Sequence, residues 1–238
     1  PPQITVISVA PLPDGLALPD ALRWHRLTPD ESHFAALNHR LDVSSSTWCG
    51  ILYTGDSLEA YAVQKMVERG RSNDGICCIY GDDTVKTQGQ PGLPFLKTDF
   101  DLLLLLGTDY LGCGLTLFRT EWLRAHGGFS ADRRGAEILD AALRLYAESG
   151  SDGFAHLAEP ILHRPLGGND GDLPFGQVIQ ARRLAIADFL TTAGLPGRIE
   201  EGWAPGTLRV RSPAPEPKPA VSLLIVADAH SVLLPKYL

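Results

Sequence analysis

Methionine occurs once in the 238 residues, cysteine four times, and aromatic residues supply only 8% of the chain. The cysteines, Cys49, Cys77, Cys78 and Cys113, form no Cys-x-x-Cys pair, so the usual zinc and dithiol signatures are absent. Cys77 and Cys78 sit in an apolar run, and neighbours on a strand face opposite sides, a poor arrangement for sharing a metal. Buried small hydrophobes in a reducing compartment are the expectation. Apolar runs are short: Leu102 to Leu106 is five residues, far below the 18 or so that span a bilayer. No signal-peptide pattern is visible either.

Positive charge is also in deficit. Lysine and arginine number 21 against 28 acidic residues, so the net charge is 21 − 28 = −7. That balance argues against broad nucleic-acid binding and against a polybasic membrane anchor. It suits a metal-bound nucleotide or a neutral sugar. Apolar residues at 44% and charged residues at 21% are ordinary globular values, which exclude disordered, collagenous and coiled-coil chains. The chain starts Pro-Pro with no methionine and is expected to be a piece of something longer.

What is present is alternation of strand and helix patterns. Strands are expected at Ile4–Val9, Leu22–Leu27, Trp48–Tyr53, Ile76–Tyr80, Gly112–Phe118, Phe154–Leu157, Pro160–His163 and Thr207–Val210. Helices are expected at Phe34–Leu41, Leu58–Arg69, Thr120–Ala125, Ala136–Glu148 and Gln177–Ala193, with Gly194 capping the last. Gln88 to Pro94, with two glycines and two prolines, is expected to be a loop. The order predicts an α/β fold with a mostly parallel sheet flanked by helices. Residues 1–211 form the main domain. Residues 212–220, with proline at every second position, form a stiff extended linker. Residues 221–238 open a further α/β unit, or supply a strand that completes the sheet. Val221–Val226 has the composition to pair beside Ile4–Val9, in its own chain or a neighbour's.

The local wording of this α/β order resembles family 2 glycosyltransferases of the GT-A fold, and most closely the bacterial multidomain type that builds cell-surface polysaccharide. The resemblance covers about residues 4–210 and is best over 76–145. Cys78-Ile-Tyr-Gly-Asp-Asp83 is similar to the family's Tyr-Ser-Asp-Glu-Asp segment. Pro94-Phe-Leu-Lys97 with Asp99-Phe-Asp-Leu-Leu103, Asp109-Tyr-Leu-Gly112, Phe118-Arg119, His126-Gly-Gly-Phe129 and Ala142-Leu-Arg-Leu145 follow in the family's order and spacing. It implies a first strand missing at the N-terminus and a neighbouring glycosyltransferase domain in the parent chain. A nucleotide-diphosphate sugar donor, a glycan acceptor and a divalent cation, Mn or Mg, are implied too. So is a cytoplasmic location, at the inner face of the bacterial membrane.

Carried residue by residue, the resemblance also exposes departures. The family's metal-holding Asp-x-Asp falls on Tyr53-Thr-Gly-Asp56, where only Asp56 survives. Asp56 either holds metal weakly beside Ser57 or caps a helix starting near Leu58. The family's general base falls on Ile138; Glu137 serves if the helix starts one residue later, and Asp140 faces solvent or pairs with Arg144. Asp82 and Asp83, placed after a strand end, are the candidate donor-binding acids or else loop caps. His163 falls where the family carries a late metal-contacting histidine, with a structural role as its alternative. Arg133-Arg134 and Arg182-Arg183 are expected on solvated faces. Two functions stay open. One is a glycosyltransferase-like module degenerate in its metal and base positions, weakly or non-catalytic by itself. The other is an active inverting hexosyltransferase.

Overall fold

The computed structural model describes residues 3–28, 30–86, 92–112, 114–166, 173–222 and 224. Cys113 and most of the expected 88–94 loop lie outside these residues. The fold is α/β, as the alternation of patterns predicts. Its centre is β5 (Cys78–Lys86). β5 pairs in parallel with β8 (Phe154–Pro165), and antiparallel with β7 (Thr116–Arg119) and β6 (Leu93–Phe95). β3 (Trp48–Gly50) extends the sheet beyond β7, and β4 (Ser57–Leu58) extends it beyond β8. The order is β3-β7-β5-β8-β4. A separate parallel pair joins β1 (Ile4–Ser8) to β2 (Leu22–Arg26), and a hairpin joins β9 (Arg198–Glu201) to β10 (Leu208–Arg211). Parallel pairing thus belongs to the two longest ladders, and the short strands around them are antiparallel.

Alternation on β5 decides the layers. Cys78 and Tyr80 point into one core, Ile79 into the other. The larger core carries α3 (Leu102–Thr108), α4 (Thr120–Ala125), α5 (Glu137–Ser149) and α6 (Phe175–Thr192). The smaller one carries α2 (Ala62–Gly70), whose Ala62 and Met66 meet Ile79, Ala155 and Ile161. The first part of β5, Cys78 to Gly81, is buried on both faces, which is why it is apolar without a polar alternate. α1 (His33–Val43) opens on Ser32, whose hydroxyl accepts the Ala35 N–H at 3.0 Å.

Several boundaries differ from the sequence expectation. β5 does not stop at Tyr80 but runs on through Asp82 and Asp83, because β8 offers it a partner as far as Pro165. The two short segments around Pro160 are one strand; the missing N–H of Pro160 is accommodated where the register shifts on either side of Asp82. α2 starts at Ala62 rather than Leu58, since Ser57–Leu58 pairs with β8 instead. Ile4–Ser8 takes β2 as its partner rather than the Val221–Val226 run. The described residues of that run, Val221, Ser222 and Leu224, are exposed and in no strand.

Candidate functional site

A cavity of about 1220 Å³ lies against β1, α1, β3 and the start of α5. Its polar end is built by two residues 84 positions apart. The Tyr53 hydroxyl donates to Glu137 Oε1 at 2.9 Å, and the Gly135 N–H donates to Oε2 at 2.7 Å. Glu137 is the first residue of α5, where the helix dipole favours a carboxylate. Gly135 holds φ at +86°, a left-handed conformation, and an added Cβ would lie 3.1 Å from Val178. The turn that aims Glu137 therefore requires glycine. α5 starts one residue later than the sequence placed it, and Glu137 rather than Asp140 faces the cavity.

The cavity reverses the charge balance of the chain. Six arginines line it, Arg23, Arg40, Arg71, Arg119, Arg134 and Arg182, against four carboxylates. Arg182 is no solvated residue: its side chain is 14% exposed and its Nε lies 3.2 Å from Asp109 Oδ2. Arg133, also expected on a solvated face, is buried and paired with Asp132 and Asp188. His33 shares the cavity wall. Burial, and then the positive charge of Arg134, hold its imidazole below the ordinary value.

The other candidate residues lie elsewhere. Asp56 Oδ2 accepts the Tyr53 N–H at 3.2 Å, closing a turn over 53–56, and it caps no helix. His163 Nε2 lies 2.6 Å from Glu59 Oε1, on β8 outside the cavity. Asp82 and Asp83 are inside β5 rather than after it, 3% and 0% exposed, and do not line the cavity. Asp83 Oδ1 meets Lys97 Nζ at 2.8 Å with both side chains buried, and Arg164 Nε lies 3.5 Å from its other oxygen. Burial pushes the Asp83 carboxyl above its ordinary value, while Lys97 and then Arg164 pull it back down. Asp82 Oδ1 accepts the Lys97 backbone N–H and meets His156 Nε2, each at 2.8 Å. Ile138 is buried in the core, and Asp140 pairs with Arg144 at 3.0 Å while accepting the Ser130 hydroxyl. Cys78 is fully buried, which raises its thiol well above the ordinary value and leaves it protonated.

Among the described residues no group of three or more His, Cys, Asp or Glu side chains is placed to hold a metal ion. The donor set at the polar end fits a hard divalent cation poorly. Tyr53 is a phenol donating to Glu137, both Glu137 oxygens already accept hydrogen bonds, and the Asp56 carboxylate is committed to its own turn. The Tyr53–Glu137 bond and the Asp109–Arg182 pair were not read from the sequence. An acid at a helix start beside a glycine was the only local signal for the first. Nothing local marked the second.

No protein-family model matches the chain, and no curated protein matches it. Solved structures do. TarS residues 1–349 from S. aureus is 12% identical with a TM-score of 0.47, over 84% of this chain and 81% of that one. Glucosyl-3-phosphoglycerate synthase from Mycobacterium tuberculosis, with Mn2+, UDP-glucose and glycerol 3-phosphate, is 13% identical with a TM-score of 0.42, over 75% and 65%. The mannosyltransferase PcManGT from Pyrobaculum calidifontis, with GDP-mannose and Mn2+, is 18% identical with a TM-score of 0.41, over 73% and 55%. All three are glycosyltransferases of the GT-A type. The chain spans about two thirds of the length of the mycobacterial structures it matches. No helix among the described residues is long and apolar enough to cross a membrane.

Proposed function

We propose that this chain is a glycosyltransferase-like module of a protein making cell-surface polysaccharide, and that it is weakly or non-catalytic by itself. The observation that carries the reading is the Tyr53–Glu137 hydrogen bond. By the sequence resemblance, Tyr53 stands where a metal-holding aspartate belongs and Glu137 beside the position of the general base. Here the two are bonded to each other. Tyr53 fills the metal-holding position with a phenol in place of a carboxylate, and that phenol directs its proton to Glu137. The excess of arginine on the cavity wall suits a diphosphate-bearing ligand, since guanidinium groups recognise phosphate oxygens in pairs. Binding of a nucleotide sugar without efficient transfer is the behaviour this arrangement supports.

A second reading, an active inverting hexosyltransferase with Glu137 as base, is favoured by one fact: Glu137 is the carboxylate at the start of α5 that faces the cavity. Calorimetry with uridine or guanosine diphosphate, with and without manganese, separates the two. Weak binding that manganese leaves unchanged is expected, together with no sugar transfer. Micromolar, manganese-dependent affinity that disappears on Asp56→Ala would overturn the non-catalytic reading.

A further inference from the structure

Trp203 is 96% exposed, the highest value of any large apolar side chain among the described residues. A tryptophan seldom stands clear of a fold, because burying one removes roughly 150–250 Å² from water. The turn that carries it, at the tip of the β9–β10 hairpin, is fixed by its own hydrogen bonds. The Gly202 N–H donates to the Thr207 carbonyl at 2.9 Å, and the Thr207 N–H donates to the Ala204 carbonyl at 3.1 Å. The Thr207 hydroxyl donates to that same carbonyl at 2.7 Å. Gly206 closes the turn against Phe175, the first residue of α6: an added Cβ would lie 3.2 Å from the Phe175 ring, which is 62% exposed. Two exposed aromatic residues thus belong to one ordered turn, Trp203 within it and Phe175 against it. The turn also reaches the cavity wall. The Gly206 carbonyl accepts Arg182 Nη1 at 3.4 Å, and Arg182 lines the cavity.

Size and charge narrow what covers these rings. Together they offer at most about 400 Å², half of the roughly 800 Å² that each partner buries in a stable protein interface. That area suits one or two sugar rings. The carboxylates of the hairpin are already taken: Glu200 pairs with Arg198 at 3.4 Å and Arg211 at 3.8 Å, and Glu201 with Arg183 at 4.0 Å. The aromatic faces are then the feature that selects a ligand. A pyranose presents a flat patch of polarised C–H bonds, which complements the negative face of an aromatic ring. We propose that the Trp203 turn is a platform for a neutral glycan outside the cavity, on which hexopyranose units stack against Trp203 and Phe175. The choice of a glycan over another flat neutral ligand rests on the glycosyltransferase-like reading above. Such a platform needs no catalysis of its own. Holding a glycan raises its effective concentration for whatever enzyme acts on it.

Three neutral hexasaccharides, maltohexaose, cellohexaose and mannohexaose, serve as probes. Each is titrated into the full chain while tryptophan emission is followed, with calorimetry of uridine diphosphate run in parallel. At least one should bind and shift the emission to the blue, since Trp203 leaves water when it stacks. Trp203→Ala should weaken that binding at least about tenfold, as truncating a central interface tryptophan does. Trp203→Tyr, which keeps a ring face, should restore most of it. The side chain stands in solvent, so both variants should melt with the parent chain. If none of the three glycans binds while uridine diphosphate does, the platform is overturned and the reading above stands. If neither glycan nor nucleotide binds, both are overturned. Unchanged glycan affinity in Trp203→Ala, or a dimer of the parent chain that Trp203→Ala dissolves in light scattering, would also overturn the platform.

Discussion

Removing the charge of Lys97 tests whether the Asp83 cluster is a sealed ion pair or a ligand site. Lys97 Nζ and Asp83 Oδ1 lie 2.8 Å apart at 1% and 0% side-chain exposure, so Lys97→Met leaves a buried carboxylate short of its nearest cation. Breaking one partner of such a pair costs about 3–5 kcal/mol. Arg164, 3.5 Å from the other oxygen, should hold the loss near 3 kcal/mol. The double variant Asp83→Leu, Lys97→Met removes both charges but takes from Arg164 the carboxylate it faces, so it should recover only part of the loss, roughly half. The pH dependence fixes the sign. Burial already raises the folded-state pKa of Asp83, so its contribution is fully present below the ordinary carboxylate value and lost as pH rises through the folded one. Lys97→Met raises that pKa further, so its deficit should be larger at pH 7 than at pH 4. Urea denaturation of the three proteins at both pH values reads this directly. Equal deficits at the two pH values, or a double variant as unstable as the single, would refute the reasoning.

Tyr53→Phe should cost about 1.5 kcal/mol, the lower value for a hydrogen bond to a charged group, because Tyr53 is half-buried. That corresponds to roughly 3–6 °C in a thermal melt for a chain of this size. Gly135→Ala should destabilise by about 1–2 kcal/mol, from its left-handed φ and the contact with Val178, and an equilibrium urea titration measures it.

Periodicity and capping made much of the fold legible. The strands at Ile4, Leu22 and Trp48, the cap at Ser32 and the helix ending before Gly194 rest on neighbours in sequence, which is why they were readable. The errors fall where a distant partner decided. Asp82-Asp83 looks like the end of a strand because two carboxylates rarely sit inside one. They are tolerated there only because Lys97, His156 and Arg164 come from other elements to meet them. Leu58 has a helical pattern, yet Ser57–Leu58 is claimed by β8 more than a hundred residues later. Arg182 has a basic neighbour in Arg183 and was assigned to solvent, but Asp109 holds it against the cavity. At the site, Glu137 was visible as an acid near a helix start, while its partner Tyr53 was visible only as a departure from an expected aspartate.

The β5–β8 ladder has a consequence for how the chain reaches its fold. It joins Cys78 to Phe154 and Lys86 to Pro165, separations of 76 and 79 residues (154 − 78 and 165 − 86). Closing so long a loop carries an entropic cost before any ladder bond forms, and proteins dominated by distant pairings fold slowly. On a ribosome, β5 would emerge well before β8 and wait for it, at roughly 5–20 residues per second. During that interval its row of buried apolar side chains and two carboxylates has only β7, β6 and their helices for cover. The hazard of this architecture is therefore kinetic, and it is concentrated in the strand that later becomes its best protected one.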